Sequence, residues 1–190
     1  MAASVSSVVS AISAKFQVLK KTEFRGETTL QVERTAIKGL ARFCKDELGF
    51  SFLVDLSGVD HFGEEPRFEV VYELYHFEQG LHLRLKIAVS EDDLEVPTVS
   101  DIWATADWHE REAYDMYGIK FAGHPELTRI LMWEGYPFHP LRKDFPLAGR
   151  PSEMPDVAFS KAAPLAGGPF VTMPSTATTK DREPRSREMP

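Results

Sequence analysis

The chain has 190 residues, a formal net charge of −7, and 43% hydrophobic and 27% charged residues, enough to bury one substantial core in an ordinary globular domain. The acidic balance argues against a nucleic-acid binder, which needs a basic face to displace counterions, and no apolar run approaches the ~20 residues of a membrane-spanning helix. One cysteine, Cys44, is too few for an ordinary thiolate-held iron–sulfur cluster or structural zinc site, fits a reducing compartment, and sits at an apolar helical position as core filler.

The N-terminal stretch "MAASVSSVVSAISAKF" has no Arg, and its first base, Lys15, follows its apolar part; neither a secretory nor a mitochondrial signal is built this way. Val5, Val8, Val9, Ile12 and Phe16 recur at helical spacing, so a short amphipathic docking helix is expected. "FQVLKKTEF" and "ETTLQVE" predict a strand pair turning at Arg25-Gly26. From about Thr35, the residues Ile37, Leu40, Ala41, Cys44 and Leu48 predict one helical face stopped by Gly49, with Gly39 costing about 1 kcal/mol relative to Ala. "FSFLVDLSGVD" then predicts a buried strand ending in a loop at Gly58.

The strongest periodicity lies in "RFEVVYELYHFEQGLHLRLKIAVS". Phe68, Val70, Tyr72 and Leu74 alternate onto one face, as do Leu83, Leu85, Ile87 and Val89. The two sets share a face only if even positions oppose odd ones, which a tight turn at Gln79-Gly80 provides. That turn sets Glu73 opposite Lys86 and Tyr75 opposite Arg84 on a solvated face. A turn of helix near Ser100 follows the acidic run "EDDLEVP".

The stretch "DWHEREAYDMYGI", residues 107–119, concentrates the chemistry. Asp107 and Glu110 form a D-x-x-E capping pattern and Gly118 suits the stop, which predicts a helix from Trp108 to Tyr117. On it, Trp108, Glu112 and Asp115 share one side, and Arg111 reaches Asp115 four residues on. A metal site fits poorly, because H-E-x-x-H would need a second His where Ala113 stands; His109, His124 and His139 with a carboxylate are the remaining route. Glu112 and Asp115 are close enough to act as an acid/base pair, although Arg111 between them favours neutralisation. Charges of both signs beside Trp108, Tyr114, Met116 and Tyr117 best match a protein–protein surface. No phosphate loop, dinucleotide fingerprint or nucleophile elbow occurs.

Beyond Phe121 the periodicity stops. Pro125, Pro137, Pro140 and Pro146 punctuate an arm, each biasing its predecessor away from helix. Residues 151–190 contain five basic and five acidic side chains and no hydrophobic period, so this Pro-rich tail is expected to be mobile alone and ordered on a partner.

With these residues in view, "EREAYDMYGIKFAGHPELTRILM" and "HPLRKDFPL", preceded by "EFRGETT", "VDLSGVD", "PRFEVVYELYHF", "LRLKIAV" and "VPTVSDIWATADW", resemble the 30 kDa-subunit family of respiratory complex I, the C-subunits of bacterial NADH-quinone oxidoreductase. The resemblance covers roughly residues 20–149. It implies an α+β fold, with a mixed, largely antiparallel sheet and helices packed on one side; the domain is expected over 1–150, and the composition places an extended tail over 151–190. It implies a structural role in the peripheral arm, on the cytoplasmic face of the cell inner membrane, with no flavin, cluster or quinone in this chain; FMN, iron–sulfur clusters and quinone would reside in other subunits. The partners it implies are the quinone-pocket (49 kDa-type) subunit and the adjacent iron–sulfur subunit. The expected interface residues are Trp108, Glu110, Arg111, Glu112, Asp115, His124, Arg129, His139, Arg142, Lys143 and Asp144. Two other readings stand beside this one: the equivalent subunit of a related membrane-bound hydrogenase or dehydrogenase with another electron donor, and a free-standing acid/base enzyme using Glu112 and Asp115.

Overall fold

A computed structural model describes residues 5–133 and 135–146; the expectation for the 151–190 tail lies outside the described residues. Strands β1 (Val18–Phe24), β2 (Glu27–Val32), β3 (Phe52–Asp60), β4 (Phe68–His76) and β5 (Leu81–Val89) make one sheet in the order β1-β2-β5-β4-β3. All neighbours are antiparallel except β2 and β5, which run parallel with Leu30 beside Leu85. The connection from β2 to β3 is made by a 3₁₀ turn (Arg34–Ala36) and helix α2 (Ile37–Asp46). The helix face of Ile37, Leu40, Ala41, Phe43 and Cys44 is buried, and burial pushes the Cys44 thiol up to about 12. The α+β expectation is met.

The N-terminal helix α1 (Val5–Lys15) forms as expected, but its apolar face has no docking to offer. Val8, Val9 and Ile12 lie in the chain's own core, and the helix is tied to the end of α2 by Lys15 Nζ–Glu47 Oε2 at 2.6 Å and by Phe16 against Phe43.

Hairpin β4–β5 has the expected parity and a different register. Four residues, Phe77–Gly80, turn the chain, so His76 pairs Leu81, Glu73 pairs Arg84 and Tyr75 pairs His82. The two-residue slip leaves every apolar residue on its face, because side chains alternate with period two. It exchanges only the charge partners: Arg84 bridges Glu73 and Glu27, and Lys86 takes Glu69 diagonally at 2.6 Å.

Gly58 is not a loop. It lies inside β3, paired with Val70, because helix α3 (Ala106–Tyr117) crosses this strand closely: a Cβ on Gly58 would stand 2.7 Å from the Tyr117 ring. Two short strands missed by periodicity, β6 (Glu95–Pro97) and β7 (Lys120–Ala122), pair in parallel at the two ends of the α3 segment.

Leu85 is 1% exposed at the centre of the sheet. Leu85→Ala is expected to cost about 2–5 kcal/mol in urea unfolding. Gly58→Ala is expected to be destabilising as well, because the obstructing ring is held by its helix.

Candidate functional site

Helix α3 ends as predicted: Gly118 adopts φ +83° and its N–H reaches the Tyr114 carbonyl at 2.8 Å. A helix leaves its last carbonyls without internal partners, and here the proline arm supplies donors for each in turn. The Asp115 carbonyl accepts from Arg129 Nη1 (3.1 Å) and His139 Nδ1 (3.0 Å). The Met116 carbonyl accepts from the Leu141 N–H at 3.1 Å, and the Tyr117 carbonyl from Arg142 Nε at 2.7 Å. Two guanidinium groups thus sit at the negative end of the helix dipole. Gly118 is needed for space as well as for its positive φ, since a Cβ there would lie 2.7 Å from His139 Nε2 and 2.8 Å from Arg142 Nη2.

Asp115 organises the arm through its side chain as well. Its carboxylate is fully buried; Oδ1 accepts from Arg129 Nη1 at 2.5 Å, while Oδ2 accepts the successive N–H groups of Ile130 (3.0 Å), Leu131 (2.7 Å) and Met132 (2.8 Å). Three consecutive amides turned toward one oxygen form an anion-binding nest. The expected Arg111–Asp115 pair is therefore not made. Arg111 instead donates to the carbonyls of Thr128 and Arg129 and lies over the Trp108 ring.

The start of the helix also departs from expectation. Thr105 is the N-cap residue and makes no side-chain cap bond, and Asp107 already lies in the first turn. Glu110 is freed from a capping role because it turns inward: it is fully buried and accepts from Thr98 Oγ1 (2.5 Å) and the Val99 N–H (2.7 Å). Burial pushes its carboxyl up to about 7. His124 is fixed nearby, with Nε2 at 3.0 Å from Asp107 Oδ1 and 4.0 Å from Glu110 Oε2.

A third anchor escapes sequence reasoning. Asp60, at the end of β3, is gripped by Arg67 through two 2.9 Å bonds and accepts the Lys143 N–H at 2.7 Å. The Arg67 guanidinium beside it holds the Asp60 carboxyl below its ordinary range. Arg67 further reaches Glu91 (2.8 Å) and Asp144 (2.9 Å). The only sequence trace of this hub is an Arg opening a strand that is otherwise apolar on its inner face.

The expected interface residues therefore divide. Glu110, Asp115, His124, Arg129, His139 and Arg142 are engaged inside the chain, as is Asp144 through Arg67. Trp108, at 60% exposed, faces outward with Glu112, Leu131, Leu141 and Lys143, and Arg111 is partly exposed beside them. No Glu112–Asp115 acid/base pair exists, because one reaches the surface and the other is enclosed. The three histidines are dispersed, His109 going to Asp55 at 3.3 Å, and among the described residues no three His, Cys, Asp or Glu side chains are placed to hold a metal. Nor is any helix among them long and apolar enough to cross a membrane.

A family model described as "Respiratory-chain NADH dehydrogenase, 30 Kd subunit" matches residues 30–151. The chain is 46% identical over 132 residues to the NADH-quinone oxidoreductase C-subunit of Geotalea uraniireducens, covering 70% of this chain and 80% of the relative. It is 49% identical over 139 residues to an NADH-quinone oxidoreductase C-subunit of Rhizobium etli, the one designated 2, covering 72% and 70%. Among solved structures it resembles a trypsin-resistant fragment (1-134) of Nqo5, with a TM-score of 0.58, 32% identity, and coverage of 65% of this chain and 98% of the other. A chain of the membrane-bound sulfane sulfur reductase, an archaeal respiratory membrane complex, matches with a TM-score of 0.64 and 27% identity over 75% and 86%.

Two outcomes are expected from this geometry. Asp115→Ala strands Arg129 and should cost about 3–5 kcal/mol in urea unfolding, whereas Glu112→Ala should stay within about 0.5 kcal/mol. Asp60 has a lowered folded pKa, so its contribution is complete above the ordinary carboxylate value of about 4 and is lost as pH falls through the depressed value. Acidification should therefore release the arm, seen as a change in Trp133 fluorescence that Asp60→Asn brings about already at neutral pH.

Proposed function

The chain belongs to the 30 kDa-subunit family of respiratory-chain NADH dehydrogenases, the C-subunits of bacterial NADH-quinone oxidoreductase, and on that premise we propose that α3 and the arm form the docking surface through which it is built into the peripheral arm of the complex. The observation that supports this is the division of the charged residues. The buried carboxylates are consumed in holding the arm to α3, and what remains outside is Trp108 stacked under Arg111, with Glu112, Leu131, Leu141 and Lys143 around it. An aromatic–Arg anchor with a charged rim is the usual composition of a protein interface. An arm that is already ordered loses little conformational entropy on docking.

In this reading the partners are the subunit that shapes the quinone pocket and the adjacent iron–sulfur subunit. This chain holds no flavin, cluster or quinone of its own and contributes position rather than chemistry. The assembled protein sits on the cytoplasmic face of the cell membrane without crossing it. The likeness to a chain of the sulfane sulfur reductase complex supports a second reading, in which the same subunit serves a respiratory complex with a different electron donor or acceptor, because those substrates bind elsewhere.

The test is purification in mild detergent through a tag on this chain. Flavin and iron–sulfur absorbance with NADH oxidation in the eluate are expected. A cluster-containing eluate without NADH oxidation would favour the second reading, and a colourless monomer would refute both. Trp108→Ala and Glu112→Ala are expected to leave the free subunit folded and to lower the yield of complex, with turnover per assembled complex unchanged. Arg142→Ala should lower the yield by another route, destabilising the subunit itself by about 1–3 kcal/mol as the Tyr117 carbonyl loses its donor.

A further inference from the structure

Among the described residues, Glu110 is a carboxylate with no exposure and no Lys or Arg against it. Buried carboxylates are normally paired with a cation or neutralised. Asp115, on the same helix, has Arg129; the donors to Glu110 among the described residues are a hydroxyl and an amide. The carboxylates that reach it are Asp107 on its own helix and Asp101 in the preceding turn. Asp101 is itself paired with Lys38 and Arg42 at the surface. From β4, the phenol of Tyr72 faces it, fully buried and with its hydroxyl unpartnered among the described residues.

His124 is the remaining titratable neighbour, and its orientation is settled by its other nitrogen. Nδ1 accepts the Glu126 N–H at 3.1 Å, which assigns the ring proton to Nε2, directed at Asp107. Glu110 can gain a proton without rearranging the backbone.

A path to solvent is present. Glu110 Oε2 lies 2.5 Å from Thr98 Oγ1, which is 2.8 Å from Ser100 Oγ. Thr98 is buried and Ser100 reaches partial exposure. Each hydroxyl can donate and accept. We propose that Glu110 is an internal proton-binding site that exchanges with solvent through the Thr98 and Ser100 hydroxyls. On release, the carboxyl proton passes to Thr98 Oγ1 as the Thr98 hydroxyl proton passes to Ser100 Oγ and the Ser100 proton passes to water. The transfer leaves Thr98 donating to the ionised Glu110 and Ser100 donating to Thr98, and uptake runs the same steps in reverse. Burial pushes this carboxyl up to about 7, so the site changes occupancy near neutrality.

The experiment is carbon-13 NMR of the full-length chain labelled at the Glu carboxyl carbons. One Glu resonance should titrate near pH 7 and be missing from Glu110→Gln. Thr98→Val removes the donor that favours the ionised form, so it should move that midpoint upward and slow the exchange, broadening the resonance. This variant identifies the resonance even where Glu110→Gln fails to fold. A raised acid pKa stabilises the folded state most below the unfolded value and loses that contribution as pH rises to the folded value. The urea midpoint should accordingly fall between about pH 4.5 and 7, and this fall should be absent in Glu110→Gln. If no Glu carboxyl titrates above pH ~6, or if the resonance survives in Glu110→Gln, the site is overturned. Unchanged exchange in Thr98→Val overturns the hydroxyl path.

Discussion

The C-terminal turn of α3 is the constraint on which the rest of this half of the molecule depends. A helix end buried under other chain must have its carbonyls met, because an unpaired buried acceptor costs as much as a lost hydrogen bond. The segment that meets them has almost no regular structure of its own. Its fold is specified from outside, by the carbonyls of Asp115, Met116 and Tyr117 and by the Asp115 carboxylate. Arm and helix end are therefore one structural unit, and neither is complete without the other.

That unit is fastened to the sheet by Arg67, whose guanidinium joins the end of β3 (Asp60), the loop after β5 (Glu91) and the arm (Asp144). Arg67 and Arg142 also lie against the Phe68 ring, so the apolar core continues beneath the charged hub. The planar fork of Arg suits this place, since one side chain serves three carboxylates and still stacks on an aromatic face. The family relationship and the geometry meet here: the segments that carry the sequence signature are those that build the helix end and its clamp.

Much of the sheet is legible in the sequence because alternation survives small errors. A β4–β5 register read two residues off still puts Phe68, Val70, Tyr72, Leu83, Leu85 and Ile87 on the inner face, since a slip by two preserves parity. The site is legible in its residue types and illegible in its pairings. Glu110 reads as half of a capping box because local spacing cannot register Thr98 and Val99, which the β6–β7 pairing brings to it. Asp115 reads as the partner of Arg111 because helical spacing is all a sequence offers, whereas Arg129 and three arm amides compete for it in three dimensions. Asp60 and Arg67 leave almost no trace because their partners lie as many as 83 positions away along the chain. Gly58 reads as a loop for lack of any sign that a Tyr ring presses against it.

The reach of the Asp60–Lys143 bond also bears on the order in which the chain becomes structured. Contacts between distant residues carry the entropy of closing the intervening chain before they return any energy. The arm's partners are a strand end, a loop and a helix terminus, and each is in place only once β3, β5 and α3 have packed. Docking of the arm is therefore expected as a late step, with its aromatic residues finding their sites on a body that has already folded. The outward face around Trp108 and Leu131 includes residues from both α3 and the arm. A chain that stalls before that step has no such face, so if the proposed docking surface is the one used, incorporation into a larger assembly would select for subunits that have finished folding.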